Sequence, residues 1–251
     1  MAQETMVPLN KKRVPFGVLS AASLRSLAML CMLLDHMWAS VVPGNNWMNY
    51  VGRIAFPLYA FQLVEGFFHT SDRKRYGKRL LLFALISEIP FNLLHVSSPV
   101  FPFQQNTIFT LFLGFWIISA LEQLRQNRTW KQRLKTLLTV FIALLLSIIG
   151  FVDYGLTGVL TIILFYLCRF LPFSCLFQLI GMLCLHVIFF KGQTIPVFGY
   201  DFPTQGFALL ALIPIWLYNG QKGRGGKVFQ YTAYAFYPVH QIALYLIRLF
   251  M

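Results

Sequence analysis

Charge is scarce in this chain, and acid scarcest: eight aspartates and glutamates stand against 21 lysines and arginines in 251 residues. Charged residues make up only 12% of the sequence, where a soluble globular domain carries about 25%. Long stretches lack charge almost entirely. Residues 89–121 hold only His95, and residues 136–152 and 202–221 hold none. That excludes a soluble fold. Cysteine is also sparse. Cys31, Cys168, Cys175 and Cys184 lie in or beside apolar spans, with no CxxC or metal-like spacing. They read as buried thiols, and no metal site is predicted. The chain shows no low-complexity tract, no linker and no sequence repeat. Nor does an A-x-A-like site follow the first apolar stretch, so that stretch is expected to stay in the mature protein. A single membrane-embedded domain over residues 1–251 is the simplest organisation.

What is abundant is apolar bulk. The sequence is 57% hydrophobic, with 26 phenylalanines. Apolar runs of roughly 20 residues read as transmembrane helices. The fold predicted is all-α and polytopic, with about nine spans (range eight to ten). They cover residues 21–42, 48–69, 80–95, 106–122, 136–152, 155–171, 173–190, 204–219 and 228–250, the third being short.

The formal net charge of +13 does not point to nucleic acid, because no basic segment is long enough to enter a groove. Sixteen of the 21 basic residues instead fall in four short clusters: Lys11–Arg13, Arg73–Arg79, Arg125–Lys135 and Lys222–Lys227. With a cytoplasmic N-terminus, all four face the cytoplasm, as the positive-inside rule requires, and they can touch anionic lipid. The opposite loops hold only Lys191 and many Pro, Asn, Gly and Gln. The predicted location is the cytoplasmic (inner) membrane, crossed many times.

Against this background the ionisable residues inside spans stand out, since each is expensive in lipid and marks a functional site by default. The first span carries Arg25 and, further on, the adjacent Asp35 and His36. Eleven residues separate Arg25 from His36, almost three turns, so both lie near one helix face about 16 Å apart along the axis. Asp35 points about 100° away from His36 and needs a partner on another helix. Arg53, at similar depth in the second span, is the preferred candidate. Two clusters follow from the topology. The outer one comprises Asp35, His36, Arg53, Glu88, Asn92, Asp153 and His240. The inner one comprises Arg25, Glu65 and His69, backed by Arg73, Lys74, Arg75, Lys78 and Arg79. His69 and His95 read as interfacial, and His186 as a packing residue.

Several segments through this framework match one family. They are M-L-L-D-H-M (Met32–Met37), R-I-A-F-P-L-Y-A-F-Q-L-V-E-G-F (Arg53–Phe67), His69-Thr70 and Y-G-K-R-L (Tyr76–Leu80). They continue with S-E-I-P-F-N (Ser87–Asn92), Asp153–Gly155, Tyr218–Gly220 and F-Y-P-V-H (Phe236–His240). The chain thereby resembles the TraX family, membrane proteins associated with N-terminal acetylation of F-type pilin. That family is similar to the wider membrane acyltransferases, among them the heparan-glucosaminide acetyltransferases. Many of that group carry a basic residue, ten intervening residues and a histidine in the first span, the spacing of Arg25 and His36 here.

The resemblance implies an acyltransferase that moves an acetyl group from cytoplasmic acetyl-CoA, a co-substrate rather than a bound cofactor. The acceptor it implies is a pilin-like peptide amine or an envelope glycan hydroxyl, outside the cytoplasm or membrane-bound. His36 is expected as general base, with Asp35, Glu88 and His240 completing the catalytic set. Arg25, Arg53, Glu65, Arg73, Lys74 and Arg79 are expected at the acetyl-CoA site. Arg53 or Asn92 would steady the developing oxyanion. The residues alone also accommodate a proton-coupled transporter or flippase, since Asp, Glu and His build proton relays. A non-catalytic assembly or anchoring protein is the third alternative.

Overall fold

The computed structural model describes residues 17–251 apart from 191 and 198. The basic cluster Lys11–Arg13 and Lys191 lie outside the described residues. The chain is mostly helical: α1 (Ala21–Ser40), α2 (Asn46–Gly52), α3 (Ala55–His69), α4 (Arg73–Val96), α5 (Thr107–Gln126), α6 (Trp130–Ile149), α7 (Gly155–Cys168), α8 (Ser174–Leu183), α9 (Leu212–Trp216) and α10 (Gly226–Leu249). A π-helical turn, Cys184–Phe189, continues α8, and a 3-10 helix, Thr204–Ala211, leads into α9. Between them β1 (Thr194–Val197) and β2 (Tyr200–Pro203) form an antiparallel hairpin that sequence patterning did not predict.

Every expected span is helical among the described residues, but α4, α5 and α6 are the three both long and apolar enough to cross a membrane. The chain thus has the character of a membrane protein, with three helices that meet the length and apolarity of a span among the described residues. Two expectations are corrected. The third span is not short: α4 runs 24 residues, because its start is set by Asp72, whose side chain accepts from Arg75 N at 2.9 Å, rather than by the end of the charged run. The second span is not one helix. It breaks at Arg53–Ile54, between α2 and α3. Pro57 is the local cause: it has no N–H to bond the Arg53 carbonyl four residues back. Within α3 itself Pro57 occupies the first turn, where proline is tolerated.

α3 lies at the centre. Phe56, Leu58, Ala60, Leu63, Val64 and Phe67 are buried against Leu24 and Ala28 of α1, Phe115 and Ile118 of α5, and Ile162 and Phe165 of α7. In lipid such packing rests on close fit rather than on transfer from water, so small residues carry weight where helices meet. A β-carbon at Gly114 would run into Ile162, and one at Gly158 into Thr110 and Phe56. α6 shows the reverse surface, with Leu137, Leu138, Phe141, Ile148 and Ile149 exposed as a lipid-facing stripe.

Candidate functional site

α1, α3, α4, α5 and α10 line a cavity of about 540 Å³. One end is basic: Arg25, Arg79, Lys222 and Arg224 line it, together with Glu65 and His69. That mouth is assembled by main-chain pairing. Leu19 N donates to Leu217 O (2.9 Å), Asn219 N to Leu19 O (2.9 Å) and Ala21 N to Gln221 O (2.8 Å), which fastens the loop before α10 onto the start of α1. Gly223 takes φ +78°, and a β-carbon there would strike Ser20, so glycine at this point lets the loop turn between Lys222 and Arg224.

From the mouth the cavity follows two helices inward. α1 lines it as far as Met32, and α10 lines it from Gly226 to Tyr237, eleven residues or about 16 Å of rise. Each helix then places a histidine one turn further on. His36 follows Met32 by four residues, and His240 follows Tyr237 by three. The two histidines meet: His36 Nδ1 and His240 Nε2 are 2.7 Å apart. Their rings are parallel within 8° with centroids 4.9 Å apart. With so short an N···N distance, that separation describes two rings edge to edge in a shared plane, a hydrogen bond rather than a stack.

The acceptors assign the protons. His240 Nδ1 lies 2.6 Å from Phe236 O, a carbonyl that only accepts, so Nδ1 carries the hydrogen. Neutral His240 therefore presents a bare Nε2, His36 Nδ1–H donates to it, and His36 Nε2 is left with its lone pair. The carbonyl–His240–His36 chain orients a base as a carboxylate–histidine pair does elsewhere. His95 joins from α4, its ring edge-on to His36 at 5.6 Å and its Nδ1 held by Phe91 O at 2.9 Å. Read from sequence as interfacial, it instead forms the third member of a histidine cluster.

Beside this cluster, Asp35 and Arg53 pair at 3.1 Å as expected, with Asn49 Nδ2 also donating to Asp35 Oδ1 at 3.0 Å. Gly52 is needed for the pair, since a β-carbon there would collide with Asp35. Arg53 Nη1 reaches Gln205 Oε1 at 3.5 Å, and Gln205 Nε2 donates to His186 Nδ1 at 3.2 Å. His186 Nε2 then donates to Thr161 (3.0 Å), whose hydroxyl donates to Thr157 O (2.8 Å). His186 thus stands within a polar chain that runs from the Thr157 carbonyl to Asp35, and it is carried by a π-turn, an element that recurs at functional sites. A lone histidine in an apolar run gave no sign of that.

The remaining expected residues separate. Glu88 Oε2 accepts from Asn106 N (3.2 Å) and Asn106 Nδ2 (2.6 Å), and its Oε1 accepts from Asn92 Nδ2 at 3.3 Å. Glu88 and Asn92 therefore tie α4 to the start of α5. Asp153 accepts from Thr107 and from Tyr154 N. Arg53, grouped from sequence with the acetyl-CoA contacts, stands at the histidine end. Arg73 turns over the Phe67 ring, 4.2 Å from its centroid, and neither Arg73 nor the exposed Lys74 lines the cavity.

Partners such as Arg169 and Tyr166 are not evident from the sequence. Glu65 is paired with Arg169, from the end of α7. The signal available was an arginine closing an apolar run that must find a counter-charge. Glu122, buried, accepts from Arg125 (2.8 Å), Gln126 (2.9 Å) and Tyr166 (3.0 Å), joining α5 to α7. Lys222 and Arg224, by sequence part of a basic cluster facing the cytoplasm and anionic lipid, line the mouth of the cavity itself.

The family model described as "TraX protein" matches residues 20–248. The chain is 29% identical over 254 residues to the "Probable fimbrial assembly protein FimC, serogroup H1" of Dichelobacter nodosus, covering 92% of this chain and 97% of that protein. No solved structure matches. The chain belongs to the TraX family.

Proposed function

From membership of the TraX family, we propose that this protein is a membrane-embedded acetyltransferase of pilus or fimbrial assembly. It takes acetyl-CoA as co-substrate and acylates a pilin-like amine or an envelope hydroxyl. One observation carries the reading: a cavity with a cationic mouth ends one helical turn from a hydrogen-bonded histidine pair. Arg25, Arg79, Lys222 and Arg224 suit the phosphates of the donor. Its slender thioester arm then reaches toward His36 over a distance comparable with the rise from Arg25 to His36, about 16 Å. The positive-inside rule puts the basic mouth in the cytoplasm and the histidine end toward the other face of the inner membrane.

In this reading the acceptor nitrogen or oxygen attacks the thioester carbonyl while His36 Nε2 takes its proton. The new bond to the acetyl carbon forms, the C–S bond breaks, and the CoA sulfur leaves with the proton from the imidazolium. His240 orients His36 and spreads the charge it acquires. Arg53, whose Nε is buried without a partner, is the donor suited to the oxyanion, and Asp35 holds it. Glu88 keeps a supporting part through Asn106 at the base of α5.

The test is transfer of label from radioactive acetyl-CoA, by protein in nanodiscs, to a peptide bearing a free α-amino group and to a hydroxyl-bearing glycan. Wild type is expected to label one of them and His36→Ala neither. Absence of transfer by wild type to either acceptor, or equal transfer by both proteins, overturns the assignment.

A further inference from the structure

Midway along the cavity stands Gln62, on the face of α3 that also presents Tyr59, Gly66 and His69. It is 9% exposed, and neither its Nε2 nor its Oε1 has a partner. A buried amide left unpaired is costly, so a side chain in this state is suited to a polar partner within the cavity. Further in, the Tyr237 hydroxyl is likewise buried and on the cavity wall. The charged side chains lining the cavity are Arg25, Glu65, Arg79, Lys222 and Arg224; the wall inward of Tyr59, with Met32, Ile108, Leu111 and Tyr237, is neutral.

We propose that Gln62 is the recognition point for the secondary amides of a slender, uncharged acyl-donor arm of the pantetheine class. The inference rests on the acetyltransferase reading and adds to it what holds the arm between phosphate and thioester. Complementarity is the argument. A primary amide offers a carbonyl acceptor and two N–H donors; a secondary amide offers one N–H and one carbonyl. A trans secondary amide presents its N–H and its carbonyl on opposite sides, so Gln62 Oε1 accepts from the N–H of one amide of the arm while Gln62 Nε2 donates to the carbonyl of the next, and both orphaned atoms are satisfied. A phosphate is better served at the mouth, where Arg79, Lys222 and Arg224 offer several cations, than beside a neutral amide. The charged part of the donor therefore stays at the basic mouth, while the neutral arm passes Gln62 and brings its acyl end toward Tyr237 and the histidines.

The test compares wild type with Gln62→Leu in nanodiscs, measuring binding of S-acetylpantetheine, which carries two secondary amides and no phosphate, and of ethyl thioacetate, which carries neither. Wild type is expected to prefer S-acetylpantetheine, and Gln62→Leu to bind it at least tenfold more weakly, about 1.4 kcal/mol. In the absence of ligand Gln62→Leu is expected to melt no lower than wild type, because it removes an unsatisfied buried amide; a merely structural glutamine would lower the melting temperature. Equal affinity of the two proteins for S-acetylpantetheine overturns the proposal. So does failure of wild type to bind it, and if acetyl-CoA is also not bound, the acetyltransferase reading falls too. If binding depends on Gln62 but no acceptor is ever labelled, the amide site stands and the transfer reading fails alone.

Discussion

His36 of α1 and His240 of α10 share a hydrogen bond of 2.7 Å although 204 positions separate them in the chain. With His240 Nδ1 committed to Phe236 O, the bond fixes which nitrogen of His36 is free to take a proton. His36→Ala is expected to lower acetyl transfer by about 10²–10⁴-fold, the usual worth of a general base. His240→Phe removes the orienting acceptor but leaves His36 in place, so it should lower kcat while leaving acetyl-CoA affinity near wild type. Single-turnover transfer together with calorimetric binding separates the two effects. A His240→Phe protein that transfers at the wild-type rate would remove the orienting role.

Gly52→Ala should mimic loss of the Asp35–Arg53 pair. The new methyl group occupies the space of Asp35, which then cannot hold both Arg53 and Asn49. The pair is mostly but not wholly buried, and breaking it is expected to cost about 2 kcal/mol, between surface and interior pairs. Thermal unfolding in detergent reads this. If Gly52→Ala and Asp35→Asn each lower the midpoint, the double substitution should lower it by less than their sum.

Lys222 and Arg224 are expected to act on the phosphates alone. Replacing both with Gln should weaken acetyl-CoA binding about tenfold at low salt, and less as salt screens the partly exposed mouth. Affinity for phosphate-free S-acetylpantetheine should not change. Equal weakening toward both ligands would mean that the loop shapes the cavity rather than reading charge.

His186→Phe is expected to act at a distance. It keeps an aromatic ring in the π-turn but leaves Gln205 Nε2 without its acceptor, and Gln205 is what Arg53 Nη1 reaches. Transfer should fall several-fold with acetyl-CoA affinity unchanged. Gln205→Leu should fall to a similar level, and the double variant should go no lower, since both cut one chain.

Much was legible in the sequence because membrane helices advertise themselves by a local property. Apolar runs set the helical segments, and the cost of charge in lipid singled out Arg25, Asp35, His36, Arg53 and His240 one by one. The Asp35–Arg53 pair followed from matching depth. Partners that depend on which faces meet were not legible. Arg169 found Glu65 because α3 packs against α7, and His95 reached His36 because α4 and α10 both border α1. Glu88 and His36 have similar depth by sequence, yet Glu88 turns to Asn106.

Composition and spacing by themselves determined that the chain is a helical membrane protein with a fixed cation and an imidazole about 16 Å apart on one helix. Those are properties of single segments: apolar length, and 3.6 residues per turn. Only the tertiary structure decided that the space between them is a cavity, that the far imidazole is one of a pair, and that Gln62 stands unpartnered along the way. A hydrogen bond has a reach of about 3 Å and a direction, and neither exists until distant helices are brought into register.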